Sequence, residues 1–200
     1  MRKRIEIHRK EAWSLLKAWA AISLAFTIIL TSPLVNKITL NGVLINLLIS
    51  AFTVGIGFLF HELAHKIAAQ KYGCEAEFKE DNMMLLLALV MSLLGFVFAA
   101  PGAVHIKGYL NRVQNGIISL AGPLMNLILA LAFLPGLILF NGTLGLFFLY
   151  GFIINSWLGL FNMIPAGNFD GAKIYKWNKT IFYCVAFVLL AMTIFGMFLQ

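Results

Sequence analysis

Charge is scarce in this chain. Only 12% of its 200 residues are charged, whereas a soluble domain carries about a quarter. That shortage, beside 61% hydrophobic residues, excludes an ordinary soluble domain. Carboxylates are scarcer still, with 8 Asp and Glu against 15 Lys and Arg. Cysteine is nearly absent. Cys74 and Cys184 lie far apart and form no CxxC pair, which excludes a disulfide framework and a cysteine zinc site. Cys74 follows His65 closely enough to suggest a redox or metal-guarding role, but an ordinary small residue is the expected reading. Internal repeats, low-complexity tracts and long linkers are also lacking. The expectation is one membrane-embedded domain over residues 1–200, with no room for a second of normal size.

The net charge of +7 does not indicate nucleic-acid binding. Its Lys and Arg lie in short segments beside apolar runs, where they set orientation in a bilayer. The basic start (Arg2, Lys3, Arg4, Arg9, Lys10) is also suited to contact with anionic lipid.

What is abundant is apolar sequence. Runs cover about 13–35, 42–68, 83–104, 113–140, 143–164 and 180–199. Most match or exceed the roughly 20 residues that cross a bilayer. The first follows a basic segment as a signal peptide would, but it is long and lacks a small-residue cleavage site, so it reads as a retained signal anchor. Residues 70–82, with Glu75, Glu77, Glu80 and Asp81, read as a solvated loop. Asn141-Gly142-Thr143 reads as a turn rather than a glycosylation site.

Two carboxylates, Glu62 and Asp170, fall within apolar runs or at their ends. An ionisable group at membrane depth is costly and points to function. Glu62 sits in His61-Glu62-Leu63-Ala64-His65. On a helix, positions i and i+4 share a face, so both imidazoles can hold one metal. Glu62, rotated by about 100°, can deprotonate a water there as general base. A catalytic zinc takes a third protein ligand and keeps one open position. The segment Asn162-Met163-Ile164-Pro165-Ala166-Gly167-Asn168-Phe169-Asp170-Gly171 offers Asp170. Pro165 should end the preceding helix, and Gly171 should permit a tight turn after the carboxylate. In Ala121-Gly122-Pro123-Leu124-Met125-Asn126, small residues favour close helix packing and Asn126 is an amide at membrane depth. Asn155, Gly159 and Asn162 form a narrow polar stripe at helical spacing. Asn126 and Asn162 are candidates to hold the substrate backbone or stabilise an oxyanion, with interhelical hydrogen bonding as the alternative.

These three segments, in this order, resemble the site-2 protease family of intramembrane zinc metalloproteases. The resemblance covers about residues 45–175. It implies one Zn2+ per chain on His61, His65 and Asp170, with Glu62 as base and Asn162 as a substrate or transition-state contact. It implies hydrolysis of peptide bonds in or near transmembrane segments of membrane-protein substrates. The chain carries neither the PDZ-like insertion nor the CBS segment common in relatives, and Phe169 stands where the family often has Leu. Competing expectations are a prenyl-protein-processing type of metalloprotease, a metal transporter, or an inactive metal-binding scaffold. The first normally draws a ligand from a later Glu, and no Glu follows Glu80.

The expected fold is an all-α polytopic membrane protein of about five transmembrane helices plus one re-entrant or hairpin segment, 83–104. The metal ligands must meet on one side, which a full crossing by 83–104 would prevent. Gly95 and Pro101-Gly102 suit a segment that returns to the side it left. With the N-terminus inside, this arrangement leaves Lys37 as the sole outside member of the 15 Lys and Arg. A full crossing would also move Lys107, Arg112, Lys173, Lys176 and Lys179 outside. The positive-inside rule therefore favours a cytoplasmic N-terminus and an active site opening to the cytoplasm of a prokaryotic cell membrane. His105 is expected in a loop or interface.

Overall fold

The computed structural model of the chain describes residues 7–31, 38–97 and 101–199. The expectations for Arg2, Lys3, Arg4 and Lys37, and for positions 32–35 of the first apolar run, lie outside these residues, as do positions 98–100 of the run 83–104.

Five helices are long and apolar enough to cross a membrane, so the chain is an all-α polytopic membrane protein. They are α1 (Arg9–Leu30), a continuous 32-residue helical stretch Leu40–Lys71, α5 (Arg112–Leu139), α6 (Gly142–Asn162) and α8 (Lys179–Met197). The long stretch comprises α2 (Leu40–Ser50), a π-helical turn (Ala51–Gly55) and α3 (Ile56–Lys71). Shorter elements are β1 (Glu75–Glu80), α4 (Asn82–Ser92), β2 (Gly102–Lys107) and α7 (Asp170–Trp177).

The described chain divides into two compact units. One comprises Phe60–Ala76 and Ile106 onward; the other comprises residues up to Leu59 together with Glu77–His105. In the second, α1 packs on α2, the π turn and α4. Gly55 makes the close approach possible, because a Cβ there would lie 2.6 Å from the Ser23 hydroxyl and 2.7 Å from the Trp19 indole nitrogen. Trp19 donates to the Ala51 carbonyl at 3.1 Å, satisfying one group of the irregular turn. The α4 helix has 11 residues, about 16 Å at 1.5 Å per residue, too short to cross. The backbone N–H of Asp81 donates to the Pro101 carbonyl at 3.0 Å, and β1 pairs with β2. The segment between them therefore leaves and returns at one place, as a hairpin does.

The polar patch 70–82 is not a loop throughout. Glu75–Glu80 is a strand in which Ala76 and Phe78 are buried. Its N–H at Phe78 donates to the Glu11 carboxylate of α1 at 2.9 Å, so the burial of Glu11 is matched by a charge-assisted bond. His105 is exposed on β2.

In the first unit, α5 packs against α6 and α7, and α8 against α6 and α7. Met163, Ile174, Phe182 and Leu189 form one apolar cluster, and Ala130, Phe152 and Ile153 another. Asn111 caps α5 in a reciprocal box with Gln114, which fixes where that long helix starts. The α6 helix ends at Asn162, before the residue preceding Pro165, as proline sterics require.

Candidate metal centre

His61 and His65 lie one turn apart on α3, both buried, and their Nε2 atoms face each other at 3.0 Å. Asp170 opens α7, and its Oδ2 lies 3.4 Å from His61 Nε2 and 3.0 Å from His65 Nε2. Among the described residues these three form the one group of His, Cys, Asp or Glu arranged to hold a metal. Cys74, buried and free, stands outside it.

The other ring nitrogens determine what these atoms offer. His61 Nδ1 lies 2.5 Å from Asn126 Oδ1, and His65 Nδ1 lies 2.8 Å from the Ile118 carbonyl. Both partners are acceptors, because Asn126 Nδ2 donates to Asn155 Oδ1 at 3.2 Å and Asn155 Nδ2 donates to the Gly151 carbonyl at 2.9 Å. Each imidazole must therefore carry its proton on Nδ1 and present a lone pair at Nε2. Two imidazole lone pairs and a carboxylate oxygen then converge. A single proton can bridge one pair of these atoms, whereas a divalent cation satisfies all three. Ligands at about 2.0–2.1 Å from a tetrahedral zinc are roughly 3.3 Å apart, which matches the spacings found. The donor set fits zinc.

Local structure explains how the atoms are brought together. On α5, Gly122 faces the imidazoles. A Cβ at that position would lie 2.6 Å from His61 Nε2, so only glycine lets this helix approach. Pro123 supplies no N–H to the Ser119 carbonyl, which interrupts the helical ladder one residue past the carbonyl that holds His65. Gly171 is required for a different reason from the one expected. It lies in the first turn of α7 and is absent from the positive-φ glycines. A Cβ there would drive into the Met163 carbonyl, so Gly171 provides room for α7 to start against the end of α6. The left-handed position in the connection is Gly167, at φ 55.

Glu62 is buried next to His61 and within electrostatic reach of His65. Asn126 is 0% exposed, and both its amide atoms are engaged, toward His61 and Asn155. Asn162 is half-buried at the end of α6 and donates to the Leu158 carbonyl at 3.0 Å. The structure thus brings His61, His65, Asp170 and Asn126 into one connected cluster, with Glu62 adjoining. Asn162 has no recorded bond to that cluster. Sequence reasoning did not isolate Gly122 or the Ile118 carbonyl, and it saw Asn155 only as part of a stripe. The glycine in Ala121-Gly122-Pro123 was the available signal.

Two curated relatives are similar in sequence. "Putative zinc metalloprotease MJ0611" of Methanocaldococcus jannaschii is 43% identical over 155 residues, 76% of this chain and 81% of the relative. "Putative zinc metalloprotease YwhC" of Bacillus subtilis is 30% identical over 144 residues, 62% of this chain and 66% of the relative. No family model matches the chain, and no solved structure matches it significantly. With a zinc-compatible donor set on a polytopic membrane fold and these archaeal and bacterial relatives, the chain belongs to their zinc metalloprotease family.

Proposed function

We propose that the chain is an intramembrane protease of the site-2 type, a single membrane-embedded domain with its catalytic core at about 45–175. It would hydrolyse peptide bonds in or near transmembrane segments of other membrane proteins. The observation that carries this reading is the convergence of His61 Nε2, His65 Nε2 and Asp170 Oδ2, with Glu62 buried beside them on a membrane-spanning helix. A site placed there serves a substrate that is itself in the membrane.

One bound zinc per chain would supply Lewis acidity and a water with a pKa near 7. His61, His65 and Asp170 would hold it. Glu62 takes a proton from the attacking water and returns it to the leaving nitrogen. Asn126 acts as a positioning residue, because its amide fixes the His61 tautomer and has no exposed surface for substrate. Asn162 is the candidate substrate or oxyanion contact. An amide carries two protons, and one of its two is given to Leu158. A substrate helix must open locally at the cleaved bond, so helix-breaking residues should favour cleavage. The active site opens to the cytoplasm, and the N-terminus lies on that side, in keeping with the charge distribution.

The test pairs zinc content with cleavage of a model transmembrane substrate, for wild type and Glu62→Gln. One zinc per chain in both, with cleavage only by wild type, supports the protease and the base. Cleavage by Glu62→Gln would remove Glu62 from the mechanism. Zinc in both without cleavage across a panel of membrane substrates would favour the inactive-scaffold reading.

A further inference from the structure

A second site lies outside the metal centre. A cavity of about 500 Å³ is lined by Arg112 and Asn115 of α5 and by Lys173 and Lys176 of α7. Its size falls within the usual range for small-ligand sites, about 300–1,000 Å³. Three cations and an amide line it, with no carboxylate among them. One of them, Lys173, has its Nζ 3.9 Å from Asp170 Oδ1. That carboxylate already faces His61 and His65 through its other oxygen. Arg112 is held in place by a bond from its guanidinium to the Lys176 carbonyl, so one wall of the cavity is tied to the other.

Its place in the fold indicates the ligand. Arg112 is the first residue of the α5 span, and Lys173 and Lys176 precede the α8 span, which begins at Lys179. These residues therefore lie at or near the ends of candidate spans, where a bilayer would present its phosphates. Aromatic side chains mark the same level. Trp177 covers Gly116, and Lys179 lies over the Tyr175 ring at 5.1 Å. We propose that this cavity binds the phosphodiester headgroup of an anionic phospholipid, with Arg112, Lys173 and Lys176 neutralising the phosphate and Asn115 bonding its polar substituent. Basic cavities between spans at a membrane surface suit this role, and each cation near the surface contributes roughly fivefold in affinity. The inference rests on the membrane fold and does not depend on the protease reading.

The experiment is native mass spectrometry of the full chain, purified in detergent and exposed to equal amounts of dioleoyl phosphatidylglycerol and dioleoyl phosphatidylcholine. Wild type should retain one phosphatidylglycerol with at least about tenfold preference. Lys176→Gln, which keeps the side-chain stem and the carbonyl that Arg112 uses, should lower that preference roughly fivefold, and Lys176→Glu should abolish it. Lys79→Gln removes an exposed charge on β1, away from the cavity, and should leave it unchanged. Bound zinc, read from the same spectra, reports that the variants are folded and separates this result from any failure of proteolysis. Equal retention of the two lipids by wild type would overturn the proposal, as would an equal loss in Lys79→Gln. Retention of inorganic phosphate as strong as that of the lipid would assign the cavity to a soluble anion instead. Unchanged lipid retention in Lys176→Gln, with poorer cleavage of substrates bearing an acid beside the cleaved bond, would assign it to substrate.

Discussion

Asn126 decides which nitrogen of His61 carries the proton, and so whether His61 can bind a metal at all. Replacing it with Leu keeps the branched side-chain shape but leaves His61 Nδ1 and Asn155 Oδ1 without their partner in a buried setting. Each orphaned group costs about 1–3 kcal/mol. Zinc affinity should fall about 10- to 100-fold, read by competition with a chromophoric chelator. If Asn126 instead served an oxyanion, zinc affinity would be unchanged and only turnover would fall. Gly122→Ala makes a sharper demand, since its new methyl would occupy the space of the two imidazoles. Zinc binding should be lost while circular dichroism still reports the helices. The His61 and His65 pair was legible because a single helical period sets it. The Asn126 partner was not, because it comes from 65 residues away and depends on how α5 meets α3.

At the scale of elements, α7 is the device that delivers the third ligand. It begins at Asp170, so the carboxylate sits at the positive end of the helix, and its start is fixed by contact with the Met163 carbonyl. Gly171→Ala should push that first turn away and weaken zinc binding by an order of magnitude or more, on the scale of losing a supporting contact. Gly167→Ala acts on the same connection by another route. The position is exposed, with open space around it and φ of 55, so alanine should cost about 1–2 kcal/mol of stability and spare zinc affinity. Thermal unfolding and zinc titration on the two variants would separate these effects. A glycine after an aspartate was visible in the sequence. Whether it relieves a dihedral or a close approach was not, because that depends on the helix end it packs against. The β1 strand was missed for a related reason. Its charged residues read as solvated, while the period-two burial of Ala76 and Phe78 becomes evident only with α1 and β2 alongside.

Over the whole molecule, the number of spans followed from run length and hydropathy, since about 20 apolar residues cost too much to leave in water. The path of 83–104 needed more, because its length alone allows a crossing. Ligand convergence and Lys/Arg placement both opposed one, and the observed α4, with Asp81 bonded to Pro101, has the short returning form. The charge distribution makes this testable in intact cells. Single cysteines can be placed at the exposed positions Lys79, His105, Asn141 and Lys173, with Cys74 and Cys184 changed to alanine. Asn141 precedes α6 and Lys173 follows it, so the two must lie on opposite sides if α6 crosses. A membrane-impermeant maleimide should label Asn141→Cys from outside and leave the other three unlabelled until the cells are opened. Labelling of His105→Cys from outside with Lys79→Cys protected would mean that the segment between them crosses after all. Labelling of Lys79→Cys, His105→Cys and Lys173→Cys from outside, with Asn141→Cys protected, would invert the protein. Because both strands flanking α4 carry lysines and none of the 8 acidic residues lies between Asp81 and Asp170, inversion would place nearly every cation on the disfavoured side.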